Sequence, residues 1–137
     1  MIKKPYVCNL KSFDAGANKG ILTVAEELKD IPFEFSRFFF TYNIGEGFSR
    51  GGHAHKSIYQ ALIAISGDFI VSCEGLNCEV LTFHLNRPNL CLIIPPFFWS
   101  VQSNFSKNAI CAVLSSGLYD EKEYIRNKND FNALKLN

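Results

Sequence analysis

Six short runs rich in β-branched, aromatic or cysteine residues recur along the chain: RFFFTYNI (37–44), YQALIAIS (59–66), DFIVSCE (68–74), CEVLTFHL (78–85), NLCLIIP (89–95) and AICAVLSS (109–116). These are the side chains that fit a pleated, half-buried surface. The links SGD, EGLN, NRPN and SNFSKN supply the Gly, Pro and Asn that tight antiparallel turns need. Hairpin should therefore follow hairpin, in an all-β sandwich or small barrel. PYVCNL (5–10) and GILTVAEE (20–27) add β-rich segments ahead of the six runs, and VAEELKD is at most one helical turn before Pro32. The tail YDEKEYIRNKNDFNALKLN differs. Its helix formers predict a C-terminal helix capped by Asp120, with Glu123 completing a capping box and Tyr124, Ile125, Phe131 and Leu134 on a partial apolar face.

At 137 residues the chain suits one domain, 1–137, with a single core. Fourteen Lys and Arg against thirteen Asp and Glu leave a net charge of +1, so nothing draws the chain as a whole to nucleic acid or to an anionic membrane. The five cysteines, Cys8, Cys73, Cys78, Cys91 and Cys111, are odd in number and form no C-x-x-C pair, which suits free thiols in a reducing cytoplasm better than disulfides or a zinc ribbon. MIKKPYVCNLKSF has a positive start without an apolar leader core, and no apolar run approaches the ~18 residues of a membrane span. A soluble cytoplasmic protein is expected.

The stretch FSRGGHAHKSIYQALIAISG (48–67) places His53 and His55 two positions apart, on one face if the segment is a strand. From Gly47 the spacing is five residues to His53, one to His55, four to Gln60 and six to Gly67. This resembles the first cupin motif, a jelly-roll signature whose histidines and following glutamate normally bind a metal. The second cupin motif can be laid on PPFFWSVQSN from Pro95 to Asn104, with Phe97 in its glycine place and Ser100 in its histidine place. Gln60 then stands for the carboxylate. A neutral amide and a hydroxyl are poor ligands for zinc or iron, so neither a metal nor another cofactor is expected.

A lone histidine on an apolar strand is ordinarily a packed core residue. Here two share a face beside Arg50, in a polar, glycine-rich RGGHAHK within an apolar chain, the composition of a concave polar site. Imidazole, with an ordinary pKa of about 6.5, exchanges protons in both directions near neutrality. A proton shuttle is the chemistry this pair suggests.

IPFEFSRFFF, RGGHAHK, IIPPFFW and the tail LYDEKEYIRNKNDF resemble the dTDP-4-keto-6-deoxyglucose 3,4-ketoisomerases, the WxcM-like group of cupins, over nearly the whole chain. The resemblance implies a metal-free isomerase in which His53 and His55 act as acid and base on a dTDP-linked 4-keto-6-deoxy sugar. Its 3-keto product would serve the 3-amino deoxy sugars of surface glycans such as lipopolysaccharide O-antigen. Arg50 and the region of Trp99 would lie beside the substrate. Two departures stand out: Ser100 where histidine often follows the family's tryptophan, and Phe38, Phe39 and Phe40 where tyrosines often follow the arginine, here Arg37. The product's C4 configuration is what these departures touch.

Among the remaining candidates, Arg50 and Lys56 suit a nucleotide diphosphate, the first as a planar fork and the second as a point charge, although an exposed strand lysine is as often only solvated. Arg37 is a further candidate contact. Gln60 is expected inside the barrel near the histidines, where a buried amide needs partners. Trp99 suits a stacking surface or equally a core or interface anchor. His84 reads as exposed and without function, and the thirteen phenylalanines as core and interface. A metal-dependent cupin enzyme and a non-catalytic sugar-nucleotide-binding cupin remain the alternatives. The β-rich amino-terminal segments, with an edge strand left open, point with the resemblance to a homodimer that exchanges amino-terminal strands.

Overall fold

The computed structural model describes residues 1–136. Twelve strands follow in order: β1 (Tyr6–Asn9), β2 (Lys11–Asp14), β3 (Ile21–Val24), β4 (Arg37–Thr41), β5 (Arg50–His55), β6 (Gln60–Ser66), β7 (Phe69–Glu74), β8 (Val80–Leu85), β9 (Leu90–Ile94), β10 (Trp99–Ser103), β11 (Ile110–Ser115) and β12 (Tyr124–Ile125). Among the described residues the single α-helix, α1 (Lys128–Ala133), follows β12. Two five-stranded antiparallel sheets, in the orders β1-β9-β6-β11-β4 and β12-β5-β10-β7-β8, face each other as a jelly-roll sandwich. The all-β, cupin-type fold with a short C-terminal helix is thus what the chain forms, as two sheets rather than one closed hydrogen-bonded barrel. No described helix is long and apolar enough to cross a membrane.

Period-two alternation decides what fills the space between the sheets. At the β7–β8–β9 end the inward positions are apolar: Leu62, Phe69, Val71, Leu85 and Leu92 are all at most 1% exposed. At the other end the same alternation turns polar residues inward, namely Arg37 and Thr41 on β4, His53 and His55 on β5, Gln60 on β6, and Ser100 and Gln102 on β10. A second cluster, with Ile31, Phe33 and Ile93, covers the outer face of the first sheet, so β6 is buried on both sides. Burial on both faces explains why its sequence, QALIAIS, lacks clean alternation.

Each predicted run holds a strand, trimmed by one to three residues where the turn chemistry begins. β2, β10 and β12 were not among the predicted strands, and β5 is predicted only conditionally. The tail departs most from expectation. Asp120 does cap a turn, its carboxylate accepting from Lys122 N at 3.0 Å, but that turn is a 3-10 segment of only three residues, Glu121–Glu123. The chain then extends as β12, and α1 begins only after Asn127, whose side-chain oxygen accepts from Asn129 N and Asp130 N. Tyr124 and Ile125 are therefore not on one helical face. As a strand they point to opposite sides, Tyr124 inward and Ile125 outward into a cluster with Ala54 and Phe131. The free edge of β5 wins this segment, because pairing there satisfies backbone groups that a helix would leave open.

Candidate active site

The glycines of RGGHAH shape the site. β10 pairs Ser100 with His53 but Val101 with Gly51, so the ladder skips Gly52 and β5 bulges. Gly51 sits at φ +85°, and a Cβ there would lie 2.7 Å from the Ser100 carbonyl oxygen. Only glycine passes at that distance. The bulge puts His53 and His55 inward on the short segment that remains, with Tyr124 paired directly opposite His55.

The two imidazoles stand edge to face, centroids 5.1 Å apart at 86°, and the Tyr124 ring lies 4.9 Å from His53 and 4.5 Å from His55. His55 is 6% exposed. A cavity of about 160 Å³ opens in front of the cluster, lined by His53, Gln60, Thr41, Gln102, Tyr124 and Arg50, among others. Five buried polar atoms gather at this end without a protein partner: Nδ1 of His53, both ring nitrogens of His55, Arg37 Nε and Thr41 Oγ1. Each such atom costs roughly 1–3 kcal/mol when left unmet, so their concentration marks a place built for a polar guest.

Electrostatics keep both rings neutral. Burial, and then the Arg126 guanidinium, hold His53 below its usual value. Burial and then the neighbouring His53 push His55 down to about 4, with Arg37 and Arg126 adding to the effect. A neutral imidazole carries one donor and one acceptor nitrogen, so it can take a proton at one atom and give one at the other. Arg37 is anchored rather than free, donating from Nη2 to the Tyr124 hydroxyl at 3.3 Å and lying 4.7 Å from the Phe39 ring centroid. Arg126 lies over the Tyr124 ring at 4.1 Å and donates from Nη2 to Glu121 at 3.0 Å.

Of the residues expected around a substrate, Arg50 and Gln60 line the histidine cavity and Arg37 reaches it through Tyr124. Lys56 and Trp99 do not. Lys56 borders an adjoining outer groove with Phe97 and Leu134, which shares Tyr124 and Arg126 with the histidine cavity. Trp99, next to inward-facing Ser100, points outward and packs on Phe131 at 5.7 Å beneath α1, the anchor reading of that residue. His84 is exposed and paired with Asp68 at 2.6 Å. Phe38 and Phe40 also face outward and are exposed, while Phe39 lines the cavity. Phe97, in the motif's glycine place, sits at φ +62° and donates its N–H to the His55 carbonyl at 2.8 Å, which explains why that motif position favours glycine. Tyr124 and Gln102 were missed by sequence reasoning. The inward parity of Gln102 with Ser100 was a usable signal, whereas Tyr124 had none once its segment was read as helix.

The donor set does not suit a cupin metal. Two histidines with Gln60 and Ser100 offer two good ligands, and no cluster of three or more His, Cys, Asp or Glu gathers anywhere among the described residues.

Residues 4–136 match the family model described as "FdtA: WxcM-like, C-terminal". The chain belongs to this family. Its FdtA/WxcM-like relatives include the TDP-4-oxo-6-deoxy-alpha-D-glucose-3,4-oxoisomerase of Aneurinibacillus thermoaerophilus, 32% identical over 114 residues, 83% of this chain and 81% of that one. A 3,4-ketoisomerase of Helicobacter canadensis superposes with a TM-score of 0.88 at 35% identity, over 95% of this chain and 96% of that one. QdtA, a sugar 3,4-ketoisomerase of Thermoanaerobacterium thermosaccharolyticum solved in complex with TDP, superposes with a TM-score of 0.89 at 29% identity, over 97% and 95% of the two chains.

Proposed function

We propose that the protein is a TDP-sugar 3,4-ketoisomerase, an isomerase that converts TDP-4-keto-6-deoxyglucose to a 3-keto-6-deoxyhexose by histidine acid–base chemistry without a metal. Family membership supports the reaction class. The observation that carries the mechanism is the pair of imidazoles, 5.1 Å apart, with three buried ring nitrogens unpartnered beside the cavity that His53 lines.

The reaction asks for little else. In a 4-keto sugar the C3 proton is acidified by the adjacent carbonyl. A base removes it, the C3–H electron pair becomes the C3=C4 double bond, and the carbonyl pair moves onto O4, which takes up a proton to give an enediol. Return of a proton to C4 and loss of the O3 proton leave the 3-ketone. No hydride moves, so no nicotinamide is needed. One histidine serves the carbons and the other the oxygens, each within hydrogen-bond reach of its proton. The cavity suits the hexose ring. A neighbouring groove of about 410 Å³, which shares Thr41 and Arg50 with it and is walled by Phe40 and Phe48, offers room for the nucleotide, with the Arg50 fork suited to the diphosphate.

The same reading places the enzyme in the cytoplasm, ahead of an aminotransferase that makes 3-amino sugars for surface glycans. It also makes the protein a homodimer with exchanged amino-terminal strands. Among the described residues β2 and β3 pair only with each other, leaving Phe13, Ile21 and Leu22 exposed, and exposed Phe38 and Phe40 on the edge strand β4 adjoin exposed Tyr42. A lone two-stranded hairpin is marginal in water, which supports a second copy as its packing partner.

The deciding experiment incubates purified protein with TDP-4-keto-6-deoxyglucose and a 3-aminotransferase that traps the unstable 3-ketone, then reads the sugar by NMR. A 3-amino product is expected, with its C4 configuration visible in the same spectrum. An unchanged sugar would leave a binding protein in place of an enzyme.

A further inference from the structure

We propose that Tyr124 is a third catalytic residue, whose hydroxyl donates a hydrogen bond to the sugar oxygen on which negative charge develops as the α-proton leaves. The inference rests on the ketoisomerase reading and deepens it.

Four observations carry it. Among the described residues Tyr124 is the only tyrosine lining the histidine cavity, where the neighbouring wall position is the hydroxyl-free Phe39. Its ring packs against both imidazoles, with centroids 4.9 and 4.5 Å from theirs. The backbone on either side is fixed by the β12·β5 ladder, Tyr124 against His55 and Ile125 against Ala54, which makes the donor preorganised rather than recruited. Finally, the hydroxyl accepts from the Arg37 guanidinium at 3.3 Å and makes no other hydrogen bond among the described residues. Accepting from Arg37 uses a lone pair and leaves the phenolic O–H to donate elsewhere. A cationic donor behind the oxygen also polarises that O–H, since hydrogen bonds in a chain strengthen one another.

The division of labour then balances. A histidine takes the C3 proton, the C3–H pair forms the double bond, and the carbonyl pair settles on O4. Tyr124 stabilises that charge through its hydrogen bond and keeps its own proton. The second, neutral histidine gives its N–H proton to O4 as its other ring nitrogen takes the O3 proton, and the first histidine returns its proton to C4 as the O3 pair forms the new carbonyl. Before the α-proton leaves, neither ring brings a positive charge to the carbonyl, and the Arg37–Tyr124 chain supplies polarisation there from the start.

Tyr124→Phe keeps the ring and removes the hydroxyl. Its kcat should fall on the order of 10²-fold while KM stays within about threefold, because the lost contact forms only as charge develops. A second variant carrying 3-fluorotyrosine at position 124, which keeps a phenolic donor, should keep the fold and restore kcat to within about threefold of wild type, a rescue that depends on the hydroxyl and not on packing. A Phe variant within about threefold of the wild-type kcat overturns the proposal, and so does a fluorotyrosine protein as impaired as the Phe variant. Wild-type protein that leaves the 4-keto sugar unchanged removes the ketoisomerase reading and this inference together. An active wild type with an unimpaired Phe variant removes only this inference.

Discussion

Tyr124 and His55 face each other across the β12·β5 ladder with ring centroids 4.5 Å apart, although they come from opposite halves of the chain. The tail is therefore a wall of the candidate site, and the histidine pair stands beside a cavity that only the folded chain forms.

His53→Asn and His55→Asn should each fold, bind TDP within a few-fold of wild type and lose about 10²–10⁴ in kcat, since Asn stays polar but shuttles no proton near neutrality. The double variant should be little worse than either single one, because residues acting as a unit are not additive. Steady-state kinetics with a TDP titration checks this. A folded single variant at near wild-type rate would replace the two-histidine scheme with a single base relayed by water or a substrate hydroxyl.

The acid limb of kcat/KM should lie below the ordinary histidine value of about 6.5, because burial, and then Arg126 for His53 and His53 for His55, hold both rings neutral to lower pH. Activity should thus be nearly flat from neutrality into mildly acidic solution. A limb centred above 6.5 contradicts the electrostatics of the site.

The same shift links His55 to stability. Its folded value of about 4 lies below the unfolded one of about 6.5. Between these two values the unfolded chain binds a proton that the folded chain refuses, so stability is full above the window and declines as pH falls through it. Urea unfolding at about pH 7 and about pH 4.5 should show wild type losing roughly 2 kcal/mol more than His55→Asn, which lacks the titrating ring. Equal losses would place the acid sensitivity elsewhere.

Gly51→Ala and Gly52→Ala separate close contact from backbone strain. Both residues have positive φ, +85° and +77°, but only at Gly51 would a Cβ strike the Ser100 carbonyl, at 2.7 Å, while nothing lies within 4 Å at Gly52. Gly52→Ala should cost on the order of 1 kcal/mol, and Gly51→Ala more, with lost activity as the bulge that aims His53 shifts. Thermal melts paired with turnover rank the two. Equal effects would mean that the bulge does not aim the ring.

In light scattering at micromolar concentration the protein should have the mass of two 15.5 kDa chains. Replacing exposed Phe13 and Leu22 of the β2–β3 hairpin by serine should shift it toward monomer. A monomer in the unmodified protein rejects the exchanged dimer.

The strands, their hairpin links and the shared face of His53 and His55 were legible in the sequence because each depends on local chemistry: β-branched side chains, Gly, Pro and Asn at turns, and a period of two. Gln60 was legible through motif spacing. The outward turn of Trp99, the placement of Lys56 in an adjoining groove and the inward turn of Tyr124 were not. Tyr124, Ile125, Phe131 and Leu134 carry a spacing that suits a helix, and local propensity cannot register that the edge of β5, some seventy residues earlier, was free to pair. Tertiary structure decided that point, because a backbone ladder to His55 and Ala54 satisfies groups that a helix started at Asp120 would leave open. That pairing turned Tyr124 toward the histidines and Ile125 away from them.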